Sequence, residues 1–243
     1  MIAGAAALVA AYLLGSLAWS LWAGRMQGVD LRRHGSGNLG ATNVYRVLGW
    51  RWGIAVLLLD IAKGTAAVVL ARVLAPAAVR GVLPAAAGMA AVAGHMFTPF
   101  ARFKGGKGVA TGLGVFLGLA PEAAVLSFVV WLAVLAFTGW VSVASGVGAL
   151  FLPVFVGMTR DDLGPRYPWV LAVSILLVLL VLVRHRTNWK RVAAGREQAI
   201  WEKRPETPEG GAAPRAGASG ARTEAPGSAA APAAGHEPGE PPR

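Results

Sequence analysis

The run IAGAAALVAAYLLGSLAWSLWA, from Ile2 to Ala23, carries no charged residue and is long enough to cross about 30 Å of hydrocarbon as one helix, with Trp19 and Trp22 placed for an interface. No basic segment precedes it, so it reads as a retained span and not as a cleaved signal. The segment that follows, Arg25 to Arg51, is polar and glycine-rich and sets Arg25, Arg32, Arg33, Arg46 and Arg51 against Asp30 alone. That bias puts this loop in the cytoplasm and the N-terminus outside.

Working outward, a second span is expected from about Trp52 to Leu74 and a third from about Val82 to Phe100, joined by a short turn holding Pro76 and Arg80. Val109 to Met158 stays apolar for too long to be one helix. It is cut at Pro121, with Glu122, and again near Gly139, giving a short piece, a piece ending near Thr138 and one from Val141 to Val156. After the polar stretch Thr159 to Pro168, Trp169 to Val183 forms the last span and delivers Arg184 to Arg196 to the cytoplasm. The expected fold is an all-α, polytopic integral membrane helical bundle with about seven transmembrane helices, some short, and a cytoplasmic C-terminus. Five long spans with a re-entrant piece leave the basic loops on the same side.

Composition agrees: 55% of the 243 residues are hydrophobic and only 14% are charged. The net charge of +11 sits in short loops beside apolar segments, with no nucleic-acid-binding module around it, so it sets topology and meets anionic lipids or substrates. With no cysteine there is no disulfide, thiolate nucleophile or Cys metal site, and the four histidines are too dispersed for a metal cluster. Residues 1–203 form the membrane domain. From Pro205 onward there is no aromatic residue and little but Pro, Gly, Ala and isolated charges, so 204–243 is expected to be a disordered cytoplasmic tail.

Three inner loops carry chemistry. In HGSGNLGATNVYR, His34 to Arg46, Ser36, Asn38, Thr42 and Asn43 supply short polar groups. Gly35, Gly37 and Gly40 let backbone approach a ligand, and Arg46 offers a fork suited to phosphate. In FKGGKGVAT, Phe103 to Thr111, Lys104 and Lys107 stand among Gly105, Gly106 and Gly108, so amide and ammonium groups can converge on a small anion. A nucleotide P-loop needs Ser or Thr after its lysine, and Gly108 follows Lys107. In HRTNWKRVAAGRE, His185 and Asn188 lie one helical turn apart, and Glu197 and Asn188 are unexplained if the loop is only a basic flank. His95, at a span end, reads as a packing or capping residue, and Asp60 with Lys63 as an intramembrane ion pair.

Together, SGNLGATNVYR, GHMFTPFARFKGGKGVAT and HRTNWKRVAAGRE resemble the three signature loops of the bacterial membrane glycerol-3-phosphate acyltransferases that use acyl phosphate, the PlsY family. The resemblance covers about Ala3 to Lys203. It departs at Trp189, where the family has an aliphatic residue, at the displaced Pro99, and at Gly139, where a basic residue is common near Ser142. The resemblance implies transfer of a fatty acyl group from acyl phosphate to the sn-1 hydroxyl of glycerol 3-phosphate at the inner face of the bacterial cell membrane, without cofactor or metal. The partners implied are glycerol 3-phosphate, acyl phosphate and membrane lipid.

The implied catalytic residues are Ser36, Asn38, His185 and Asn188. Gly37, Gly40, Thr42, Asn43, Arg46, Lys104, Gly105, Gly106, Lys107, Gly108, Ser142 and Glu197 would bind substrate. No histidine starts the His-x4-Asp pair of soluble-type acyltransferases, since Leu39, Phe100 and Lys190 follow His34, His95 and His185 at that spacing. Catalysis by positioning and charge is expected, with an acyl-enzyme through Ser36 as the rival route. A transporter or channel for a phosphorylated or anionic solute is the competing function, but no internal inverted repeat is visible.

Overall fold

The computed structural model describes residues 2–202, and the expected tail lies outside the described residues. Among them there are helices and no strands. The chain runs α1 (Ile2–Ser16), α2 (Trp19–Met26), α3 (Ala41–Leu48), α4 (Trp50–Leu74), α5 (Leu83–Met96), α6 (Val109–Leu119), α7 (Pro121–Thr138), α8 (Val141–Met158), α9 (Arg160–Leu163), α10 (Tyr167–Arg184) and α11 (Arg186–Ala193). Five segments are long and apolar enough to cross a membrane: Gly4–Met26, Trp50–Leu74, Pro121–Thr138, Val141–Met158 and Arg160–Arg184. Helices α5 and α6, of 14 and 11 residues, are shorter. The large exposed side chains of α7, such as Val125, Val129, Leu132 and Phe137, suit contact with lipid.

The long apolar stretch after Val109 divides where the sequence says it should. Pro121 lacks an N–H and starts α7, and Gly139 ends it with a left-handed φ of 70°. The first span does not stay whole. It breaks at Leu17 and Ala18, because the carbonyls freed at the end of α1 have tertiary partners: Thr98 Oγ1 donates to Ser16 O at 2.7 Å and Lys63 Nζ to Leu17 O at 2.8 Å. In hydrocarbon a broken helix survives only when its orphaned groups are met in this way.

Small residues bring the helices close. A side chain at Gly15 or Gly94 would collide with backbone across the α1–α5 crossing, and one at Gly64 or Gly114 with backbone across the α4–α6 crossing. The largest core cluster joins α4, α5, α6, α7, α8 and α10 around Val92, Val115, Phe116, Leu152, Val156 and Val181. It forms the floor beneath the loops.

Candidate active site

The first loop is closed by one amide. Asn43, 1% exposed, receives the backbone N–H of Ser36 at 2.7 Å and its hydroxyl at 3.1 Å on Oδ1, and donates from Nδ2 to the carbonyls of Leu31 and His34, both at 3.2 Å. All four hydrogen-bonding positions of the side chain are thereby taken. Asn43 borders the cleft, but it organises the loop and has no capacity left for a ligand. Ser36 stays exposed at the edge, with no histidine or carboxylate bonded to its hydroxyl.

The glycine loop differs from its expected form. The amides of Gly105 and Gly106 donate to the carbonyls of Met96 and His95, at 3.0 and 3.2 Å, so these two do not point at an anion. A side chain at Gly105 would strike the His95 carbonyl, and one at Gly106 the His95 ring. These residues are glycine so that the loop can lie on the end of α5. Arg184 grips the same loop from the other side, donating to Gly106 O at 2.7 Å and Gly105 O at 3.3 Å. Gly108 turns with φ 84° into α6, whose first-turn amides have no carbonyl partner within the helix and no side-chain cap. Lys104 is exposed at the rim, whereas Lys107 is half-buried.

Lys107 starts a continuous polar chain. Its ammonium donates to Asn188 Oδ1, and Asn188 Nδ2 donates to Glu197 Oε1 at 2.6 Å. Ser142 Oγ donates to the same oxygen at 2.7 Å, and Arg191 Nε to Oε2 at 2.7 Å. Burial opposes the Glu197 charge, but these three donors outweigh it and hold the carboxyl below its ordinary range. Burial and the neighbouring Arg191 cation push the Lys107 ammonium down to about 8. Burial, reinforced by Lys107, pushes the 3% exposed His185 down to about 4, so its ring is neutral at pH 7. His185 Nδ1 sits 2.8 Å from Val181 O, which only an N–H satisfies, and Nε2 therefore keeps its lone pair.

The three loops meet on one cleft of about 510 Å³. Of the implied catalytic and substrate-binding residues, all border it except Gly106, which borders a smaller adjoining cavity, whereas Gly35 borders neither. The arginines and lysines at the cleft come from the three loops and the helix ends beside them, and the cleft continues between helices along Leu113, Phe116, Phe128, Leu152 and Leu177, with the hydroxyls of Ser127 and Ser145 among them. It has one cationic end and one apolar arm.

A family model described as glycerol-3-phosphate acyltransferase matches residues 5–195. The chain is 42% identical over 187 residues to a glycerol-3-phosphate acyltransferase of Geobacter sulfurreducens, covering 77% of this chain and 92% of that protein. It is 40% identical over 194 residues to glycerol-3-phosphate acyltransferase 2 of Bacillus anthracis, covering 79% and 97%. A crystal structure of PlsY, an integral membrane glycerol 3-phosphate acyltransferase, in its glycerol 3-phosphate form superposes with TM-score 0.74 at 38% identity, covering 81% of this chain and 94% of that one. The chain belongs to the glycerol-3-phosphate acyltransferase family.

The departures from the acyltransferase signature loops have local reasons. Trp189 donates from Nε1 to Leu182 O at 2.9 Å and lies where a side chain on Gly146 would be. Pro99 opens a single 3-10 turn, with the Phe100 amide capped by Thr98 Oγ1 at 3.3 Å. At Gly139 a side chain would strike Trp201 and Ala199, because the strand of chain after Glu197 crosses there, with Ile200 N donating to Gly139 O at 2.8 Å. Glu197 reaches Ser142 by that crossing.

Four ionisable residues at the cleft were given structural and not chemical roles from the sequence. Arg184 and Arg191 read as membrane-flanking charges, Asp60 as half of an intramembrane ion pair and His95 as a packing or capping residue. A signal existed for Arg191, which follows Asn188 by three residues on the same helix face. None existed for Arg184, whose targets are backbone carbonyls.

Proposed function

We propose that the chain transfers a fatty acyl group from acyl phosphate to the sn-1 hydroxyl of glycerol 3-phosphate, releasing inorganic phosphate and lysophosphatidic acid. As a member of its family the chain is a membrane acyltransferase. The observation that carries the finer reading is the two-ended cleft: cations from three loops at one end suit two phosphates, and the apolar arm between helices suits an acyl chain. Two solved relatives, described as the glycerol 3-phosphate and lysophosphatidic acid forms of PlsY, fit an acceptor and a product of that kind.

The acceptor oxygen attacks the acyl carbon, the bond from that carbon to the donor phosphate oxygen breaks, and the hydroxyl proton passes to the departing phosphate. Ser36 and Asn38 contact the acyl phosphate, while Arg46, Lys104 and Lys107 neutralise phosphate charge. His185 accepts a hydroxyl hydrogen on Nε2, and Asn188 orients glycerol 3-phosphate. Direct transfer is favoured because an acyl-enzyme through Ser36 needs a base, and the partner of its hydroxyl is an amide oxygen that takes no proton. The inner-loop arginines and lysines favour a cytoplasmic cleft, an outward N-terminus, and seven crossings made of the five long segments with α5 and α6.

The test is phosphate release from a long-chain acyl phosphate by the full chain in detergent, with lysophosphatidic acid followed by mass spectrometry. Release that requires glycerol 3-phosphate is expected. Release without it, or label from the acyl group remaining on protein, overturns direct transfer.

A further inference from the structure

Beneath the glycine loop lies a buried charged group that the proposed chemistry leaves unused. Asp60 and Lys63 are 2% and 3% exposed and pair at 2.7 Å. An ammonium has three hydrogens, and Lys63 Nζ has three acceptors: Asp60 Oδ1, Leu17 O at 2.8 Å and His95 Nδ1 at 3.0 Å. Since an ammonium carries no lone pair, the third contact requires Nδ1 to accept. The 3.5 Å separation between Nδ1 and Asp60 Oδ1 is too long to compete for that position. The ring proton is therefore on Nε2.

Nε2 has no hydrogen-bond partner among the described residues, although the side chain is 7% exposed. It lies against the bare α-carbon of Gly106, and the ring borders both the main cleft and the adjoining cavity. An N–H at the border of a cationic cleft with no protein partner is available to pair with an anion held there.

We propose that His95 contacts substrate: its Nε2–H donates to a phosphate group held in the main cleft beside Lys104 and Lys107, and the Asp60–Lys63 pair fixes the tautomer that makes it a donor. This rests on the acyl-transfer reading and adds a contact to it. Glycerol 3-phosphate and acyl phosphate present the same phosphate chemistry, and the kinetics separate them.

The experiment compares His95→Gln, whose amide nitrogen reaches the place of Nε2, with His95→Asn, whose shorter amide reaches only the place of Nδ1. In the full chain in detergent, His95→Asn is expected to raise KM for one of the two phosphate substrates by about tenfold or more, with kcat within about twofold, and His95→Gln to restore KM to within about threefold. Equal effects of the two substitutions, or no change in either KM, overturn the proposal. Nitrogen-15 NMR of histidine-labelled wild-type chain in micelles is a second reading that does not depend on either variant folding. An Nε2–H tautomer at His95 is expected, and an Nδ1–H tautomer overturns the assignment. Failure of the wild-type chain to release phosphate with glycerol 3-phosphate would instead strike the acyl-transfer reading, leaving the tautomer measurement standing.

Discussion

Two lysines in this protein are both withdrawn from bulk water, and their surroundings give them opposite tasks. Lys63 has every ammonium hydrogen consumed, by a carboxylate, a helix-end carbonyl and an imidazole. Lys107 has one side-chain partner, Asn188, and faces Arg191, Arg184 and Arg46 across the cleft. A fully bonded cation fixes geometry, whereas a cation with hydrogens to spare among like charges is poised for an anion.

The largest effect that breaks or sharpens this contrast is expected at Lys63. Lys63→Met leaves Asp60 buried without its main partner and should cost about 3–5 kcal/mol in stability, read as the thermal midpoint in detergent. The double variant Asp60→Asn with Lys63→Met should recover most of that loss. If the single variant melts with wild type, the group is no structural pin. Lys107→Ala should do the reverse, lowering kcat/KM for glycerol 3-phosphate about 100-fold, or about 2.7 kcal/mol, with little change in the melt.

A pH series should follow in size. Above about 8 Lys107 loses its proton, so KM for glycerol 3-phosphate should rise about tenfold between pH 7 and pH 9. The same shift acts oppositely on stability, because an unfolded lysine keeps its proton up to 10.5. Between these values the unfolded chain binds more protons, and the Lys107 contribution to stability rises with pH. His185 acts likewise at the acid end: stability should fall as pH drops from 6.5 towards 4, since only the unfolded ring protonates there. The smallest effect is expected for Ser142→Ala, which removes one of three donors to Glu197 and should cost about 1 kcal/mol in kcat/KM.

What was legible beforehand follows from how local its cause is. Pro121 and Gly139 divide the apolar run because the missing N–H and the left-handed turn belong to those residues. Asn38, His185, Asn188 and Glu197 stood out as polar groups that a basic membrane flank does not require, and Lys107 as a cation set among glycines. The break at Leu17 was hidden, since its partners Thr98 and Lys63 are far along the chain. Gly105 and Gly106 were legible as glycines but not in purpose: the pattern says that no side chain is present, and only the fold says that His95 occupies that volume.

The interruption between α1 and α2 has a mechanical consequence. One carbonyl at that joint helps hold the ammonium that orients the imidazole under the glycine loop, so a membrane segment with no residue lining the main cleft is geared to the cleft's cationic end. Lengthening the joint by a single residue would turn that carbonyl away, and the disturbance would reach the proposed phosphate contact through an ion pair and a ring, with no surface loop displaced on the way.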